Sequence, residues 1–525
     1  MDTSRTSPVE GIPAWEARQA EGATGLADRL AELTRRLLEI DDIERAAAVL
    51  GWDQMTYMPQ GGNQGRGEQL ATLASLAHER LVSPEFGDAL KAFAEEAQDA
   101  PEDDVRHAFL RTVQRAYDQA TKLPQELVAR QMRLTTEAYE SWVAARAAKD
   151  FSVFAPAFAK MVDLSREIAE ALGYREEPYD ALLDLSEPGM TTKAAADLLG
   201  ELKASLVPLV QAIAEHKDRV DRGILYGHFA DETQWRLGLE AITAFGFDFS
   251  RGRQDRSIHP FTTSFGVGDV RITTRIIEDT FASAFFSTLH EGGHGLYEQG
   301  LPAEWARTPL GQAISSGVHE SQSRLWENLV GRSRPFWRYF LPKAQAAFPS
   351  QFGHVSVEDM YRAVNYVEPS LIRVDADEVT YNLHIAVRFE VERALMRGEI
   401  AARDVPEAWR AKMQEYLGVV PPDDLVGALQ DIHWTGGLGG FIGYTVGNVV
   451  SAQIWAAAGQ AIGDLPERIA QGDFAPLLAF LRRELHQLGS RETTDGFLRK
   501  ATGQGLTTRP YLAYIKGKFS ELYGL

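Results

Sequence analysis

Apolar residues spaced three and four apart recur from residue 25 to residue 488 and restrict the fold more than any other feature. The stretch GLADRLAELTRRLLEIDDIERAAAVLGW (25–52) shows the pattern, with charges filling the positions between. Such spacing places one face of a helix against a core and the other in water. The same periodicity predicts helices over 66–98, 103–121, 124–149, 151–173, 191–216, 281–299 and 316–332. Further helices are expected at 335–347, 356–367, 378–398, 405–417, 446–462 and 475–488. Alanine, leucine, glutamate and arginine supply the propensity. No fixed repeat or low-complexity linker breaks the series, so residues 23–525 read as one domain. Its helical first part runs to about residue 250 and the chemistry-bearing part, 251–525, follows. Residues 1–22 are polar, contain two prolines and lack an apolar signal core, and read as a flexible tail.

What the chain lacks narrows its chemistry. There is no cysteine, so disulfides, thiolate metal sites and cysteine nucleophiles are excluded, and a transition metal must be held by His, Asp or Glu. The net charge of -20 opposes nucleic-acid binding, because phosphate contact needs a positive surface. No run of about 18 uncharged apolar residues appears, so no membrane span is expected and a cytoplasmic location is the default.

One segment departs from helical spacing: HPFTTSFGVGDVRITTRIIED, His259 to Asp279. Its β-branched runs FTTSF and VRITTRI flank Gly266-Val267-Gly268-Asp269, which predicts a hairpin. A lone hairpin is marginal in water, so it must pack on helices or join a small sheet. It either covers the core or offers an edge strand to an extended peptide along a cleft.

TLHEGGHGLYE follows, and His290-Glu291-Gly292-Gly293-His294 fits H-E-x-x-H. On a helix, His290 and His294 share a face and can hold one cation. Glu291 then points beside them, where it can take a proton from a metal-bound water. The bland alternative is a pair of surface histidines on an amphipathic helix. Both variable positions are glycine, a poor helix former, so the helix needs a reason to accept them. A catalytic zinc wants three protein ligands and an open position. Tyr297 and Gly300 stand where a metzincin would need glycine and histidine. The third ligand should therefore come from a second helix, and in SSGVHESQSRLWENLVG (315–331) both Glu320 and Glu327 qualify by spacing. Either could instead pair with Arg324.

Two later clusters are rich in polar residues. In VEPSLIRVDADEVTYNLHIAVRFEVERAL (367–395), Tyr381 and His384 share a helix face and could support an oxyanion. Arg373 could grip a carboxylate bidentately, or sit in a buried network with Asp375 or Asp377. In GALQDIHWTGGLGGFIGYTVGNVVSAQ (427–453), Gln430, Asp431 and His433 precede glycines whose spacing matches no nucleotide-binding loop.

In order along the chain, these clusters resemble the carboxypeptidase Taq family of zinc metallocarboxypeptidases. The resemblance rests on His259-Pro260-Phe261, on Asp269-Val270-Arg271-Ile272-Thr273, on HEGGH and on His319-Glu320-Ser321-Gln322. It continues with Ile372-Arg373-Val374-Asp375-Ala376-Asp377 and with GALQDIHW from Gly427 to Trp434. LGWDQMTYMPQGG (50–62) is also similar to a segment of the family, and the series spans about residues 25 to 525. Phe441-Ile442-Gly443-Tyr444 departs from it, where the family more often carries an aromatic-proline turn.

The resemblance implies a mainly α fold: a large helical body around a deep groove, with a small β-sheet at its edge, as in neurolysin and angiotensin-converting enzyme. It implies Glu320 as third ligand beside His290 and His294, and Glu291 as general base and acid. Tyr381 and His384 fall near the oxyanion, and Arg373 is expected to bind the substrate's terminal carboxylate. Arg271, His259, Gln430 and His433 are expected groove contacts. The cofactor is zinc, for which cobalt is an acceptable substitute in an N/O site. The expected activity is release of single C-terminal residues with broad specificity and resistance at C-terminal proline, by a homodimer acting on peptides. A zinc oligopeptidase cutting internally and a non-catalytic peptide-binding scaffold are the alternatives.

Overall fold

A computed structural model describes residues 24–98, 100–101 and 104–525; the expected tail, 1–22, lies outside the described residues. The fold is mainly helical, at 71% helix against about a third for an average soluble domain. Among the described residues a single three-stranded sheet accompanies the helices. Among the described residues no helix is long and apolar enough to cross a membrane.

The periodic stretches form helices, with three informative departures. The span expected as one helix over 66–98 is two, Asn63–Leu81 and Pro84–Ala97. Ser83 caps the second by accepting from the Phe86 N–H, and Pro84 stands at its first turn. A residue before proline is disfavoured in α conformation, so the break falls there. The helix expected over 316–332 is α-helical for Ser316–Arg324 and then widens into a π turn, Leu325–Val330. Helices Tyr179–Ser186, Asp231–Phe245, Thr494–Thr502 and Arg509–Tyr523 also form. Of these, Asp231–Phe245 buries Leu237, Ala241, Ile242 and Phe245 on one stripe.

The expected hairpin is present as β2 (Thr262–Ser264) antiparallel to β3 (Val270–Thr274). Beside them lies β1 (Gly252–Arg256), paired parallel to β3 with Gly252 opposite Val270. The order β1-β3-β2 leaves β2 as an edge strand.

Two apolar cores organise the helices. A small one joins Leu30, Leu33, Phe86, Phe93 and Phe109 of the first helices to Trp305 and Leu310. The large one fills the rest of the body. Beside the first long helix, Thr24–Thr56, opens a cleft of about 740 Å³. Glu44, Arg45 and Ala48 of the first long helix form one wall, and Thr262–Ser264, Glu298 and His319 the other. An adjoining cavity of about 1030 Å³ shares Glu44, Leu185, Pro188 and Gln312 with it.

HEGGH lies inside a regular helix, Ala282–Glu298, and its glycines mark close approach. A Cβ on Gly292 would stand 2.6 Å from Ile242 Cγ2. One on Gly293 would stand 2.6 Å from the Gln322 carbonyl oxygen and 2.7 Å from Ser323 Cα. Gly293 is thus where this helix crosses the backbone of Ser316–Arg324. Gly447, on helix Ile442–Ile462, is matched on the other side, its missing Cβ falling 2.5 Å from Glu320 Cγ. Gly293→Ala should therefore destabilise the protein by about 1–3 kcal/mol through overpacking, overriding the helix propensity it gains. Gly67→Ala, on an exposed helix with open space around the added methyl, should stabilise by about 1 kcal/mol. Opposite shifts of the unfolding midpoint check the pair, and equal shifts would refute the close-approach explanation.

Candidate metal centre

The ring nitrogens of His290 and His294 and a carboxylate oxygen of Glu320 lie within 4.8 Å of one another. Glu320 Oε2 is 3.6 Å from His290 Nε2 and 3.3 Å from His294 Nε2. Ligand atoms bonded at about 2.0–2.1 Å to a tetrahedral zinc stand roughly 3.3–3.4 Å apart, so the donor set fits a small divalent cation.

The far side of each ligand is already held. His290 Nδ1 meets Glu327 Oε2 at 2.9 Å. Since the carboxylate can only accept, His290 carries its proton on Nδ1 and turns a lone pair on Nε2 inward. Glu320 and Glu327 thus address opposite nitrogens of one imidazole; spacing alone left them equivalent. His294 Nδ1 lies 2.6 Å from His319 Nδ1, and His319 Nε2 lies 2.8 Å from Glu298 Oε1. With His319 donating to Glu298, its Nδ1 must accept from His294, which again leaves the His294 Nε2 lone pair free. Burial draws His294 down to about 4, so its ring stays neutral. Such outer partners fix both tautomer and ring orientation.

Glu320 is divided between two tasks. Its Oε1 accepts from Arg324 Nε at 2.6 Å, while Oε2 accepts from the Ser323 hydroxyl at 3.1 Å and faces the imidazoles. Burial raises its proton affinity, but the Arg324 charge and the two histidines outweigh that and hold it well below the usual carboxylate range. Burial likewise opposes ionisation of Glu327, yet the bond to His290 and the Arg324 and Arg332 charges bring it to about 2. Glu291 follows the first histidine and is buried. Its Oε2 accepts from the Thr262 hydroxyl of β2 at 2.6 Å, and burial raises its pKa.

Tyr381 closes the next side. Arg324 stacks on its ring at 4.3 Å, and its hydroxyl receives Arg373 Nη1 at 3.0 Å. His384, one turn on and buried, is lowered to about 3 by burial and by the Arg373 charge. The Arg373 fork is engaged by Asp431, through Nε at 2.9 Å and Nη2 at 3.2 Å. The buried network therefore forms with Asp431; Asp377 instead accepts backbone N–H groups of Val379 and Thr380. His433 Nδ1 meets the same Asp431 at 2.7 Å with its ring half exposed. Gln430 accepts from the Arg373 N–H at 2.7 Å and donates to the Leu371 carbonyl.

The remaining expected groove residues sit on the sheet. Arg271 is paired with Asp269 and stacks on Trp52 at 4.3 Å, and His259 is exposed before β2. Thr262, Glu298, His319 and Tyr444 carry contacts that spacing did not assign. Tyr444 lies 5.1 Å beneath Arg373 and packs edge-on against Tyr381.

Two imidazoles presenting Nε2, a carboxylate turning Oε2 towards them and a buried acid alongside suit the divalent-metal centre of a metallohydrolase. The chain belongs to the carboxypeptidase Taq (M32) metallopeptidase family, whose model matches residues 32–519, and it is a peptide-bond hydrolase of that family. A thermostable carboxypeptidase 1 of Thermus thermophilus is 44% identical over 489 residues, covering 91% of this chain and 95% of the relative. The enzyme of that name from Pyrococcus furiosus is 38% identical, covering 91% and 95%. Among solved structures, the M32 carboxypeptidase from Deinococcus radiodurans superposes with a TM-score of 0.92 at 42% identity, over 95% of this chain and all of that one. A Pyrococcus furiosus carboxypeptidase superposes at 0.90 and 37% identity, over 95% and 99%.

His319→Ala and Glu327→Gln should each weaken metal binding by about 10–100-fold, since both act on the orientation of a ligand ring. Competition with a chromogenic chelator measures this. Unchanged affinity in both would show the rings to be held by packing alone.

Proposed function

We propose that the chain releases single C-terminal residues from peptides with zinc as its metal, held by His290, His294 and Glu320, and with Glu291 as general base. The observation that carries the reading is Glu291: a buried carboxylate, aimed by Thr262, on the residue next to the first ligand. Cobalt suits the same N/O donors.

When bound, the metal supplies Lewis-acid polarisation of the scissile carbonyl and acidifies water. Glu291 takes the proton of the attacking water, and its raised proton affinity suits it to hold that proton and pass it to the leaving amine. Tyr381 is set to stabilise the oxyanion. Arginine can only donate, so the Tyr381 oxygen accepts from Arg373 and its own proton remains to be given elsewhere. His384 supports this from one turn behind.

Arg373 recognises the terminal carboxylate in this reading. Asp431 occupies Nε and Nη2, so the substrate meets the Nη1 edge that Arg373 shares with Tyr381. His433, hydrogen-bonded to Asp431, steadies that carboxylate from the rim, and Gln430 fixes the Arg373 backbone. Arg271 and His259 border the groove on the sheet side. The edge strand β2, lining the cleft, suits an extended peptide chain. Broad specificity, resistance at C-terminal proline, a homodimer in the cytoplasm and the absence of nucleic-acid or membrane partners complete the proposal.

Glu291→Gln should lower turnover by about a hundredfold or more while leaving metal content unchanged. Hydrolysis of a free-acid peptide should exceed that of its C-terminal amide. Equal rates for acid and amide would overturn the exopeptidase reading in favour of internal cleavage.

A further inference from the structure

Glu187 lies outside every cluster considered so far, yet it is only 2% exposed. It terminates helix Tyr179–Ser186, and its flanking residues Ser186 and Pro188 line the cleft beside His319. Its Oε1 accepts the backbone N–H of Gly317. Its carboxyl is also hydrogen-bonded to the Ser315 side chain. Ser315 is the N-cap of helix Ser316–Arg324, its Oγ accepting from the Val318 N–H at 3.1 Å. Glu187 and Ser315 therefore share the capping of the nine-residue helix that carries Glu320, and Gly317 stands three residues, about one turn, before Glu320.

The slot that receives this carboxyl is made by glycine. A Cβ on Gly317 would fall 2.7 Å from Glu187 Oε1, and one on Gly443 would fall 3.3 Å from the same atom. Gly443 and Gly447 lie four apart on helix Ile442–Ile462 and so share a face. That face meets the Glu187 carboxyl at its first glycine and the Glu320 side chain at its second. Burial pushes Glu187 up to about 7, against the lowering effect of the bonds from Gly317 and Ser315. A carboxyl placed this deep is costly as mere filling, whereas here it satisfies donors that a helix start leaves open.

We propose that Glu187 is a positioning residue of the metal centre. It fixes the N-terminus of helix Ser316–Arg324, and through it the depth at which Glu320 presents Oε2 to His290 and His294. A metal site tolerates displacements of about 0.5 Å, and the helix is too short to absorb a shift at one end before reaching Glu320 at its fifth residue. The inference rests on Glu320 being a ligand.

The test compares zinc affinity by chelator competition, thermal midpoint, kcat and KM in the full-length protein. Glu187→Ala should weaken zinc binding by about 10–100-fold and lower kcat with KM little changed. Glu187→Gln, whose amide oxygen still accepts the Gly317 N–H, should recover most of both. Ser83→Ala removes the N-cap of helix Pro84–Ala97, which belongs to the smaller core. It should lower the midpoint and leave zinc affinity at the wild-type value. Should Glu187→Ala not fold, Glu187→Asp, which withdraws the carboxyl by one methylene, carries the same expectation. Wild-type affinity in Glu187→Ala, or equal impairment in Glu187→Gln, overturns the inference. So does a loss of zinc affinity in Ser83→Ala that matches its loss of midpoint. Glu320→Ala separates the two levels: if it keeps wild-type affinity, the ligand assignment itself falls. If it loses zinc while Glu187→Ala does not, only the role of Glu187 is lost.

Discussion

Glu320 is buried and ionised with Oε2 turned to both imidazoles, and the rest of the centre is arranged around it. Taking a carboxylate out of water costs several kcal/mol unless it is paired. Arg324 pairs with it at 2.6 Å and is itself largely withdrawn from water, so it needs compensation in turn. The Tyr381 ring beneath it and Glu327 beside it provide this. Glu327 is then balanced by Arg332 and used to hold His290. Two acids and two arginines thus balance one another around the imidazoles. The same logic explains the glycines: charges interact strongly only when close, and Gly293 and Gly447 let the backbones approach until they are.

Much of this was legible. H-E-x-x-H on a helix follows from spacing, because residues four apart must share a face. The hairpin follows from β-branched alternation around a glycine turn. Other features have no signature along the chain. β1 reads GRQDR, a charged run without β-branched residues, and it is a strand only because β3 offers it a parallel partner. The partner of Arg373 is Asp431, 58 residues away; the acids nearest in sequence, Asp375 and Asp377, drew attention because local spacing is what a sequence displays. His319 and Glu298 act through a contact between two helices, and Glu187 through a contact between three. Helix Asp231–Phe245 is different. Its apolar stripe was present in the sequence, so the signal existed and the periodic reading passed over it.

The hairpin shows how a short element can serve a site that it does not itself contain. Alternate residues of a strand face the same side, so Thr262 and Ser264 of β2 point together towards helix Ala282–Glu298. Thr262 donates to Glu291. Ser264 hydrogen-bonds to Glu298, two turns further along that helix. One acid stands beside the first ligand, and the other holds His319 behind the second. The Ser264 carbonyl also accepts from Arg45 at 2.6 Å, which ties the wall built by the first long helix to the same strand. A frame of three residues therefore holds Glu291, steadies the outer support of His294 and anchors the opposite side of the cleft. Its polar side chains Thr262 and Ser264 are explained by that face, while Phe261, Thr263 and Phe265 turn to the other. The run FTTSF alternates because its two faces answer to different neighbours, one of them the helix that carries the chemistry.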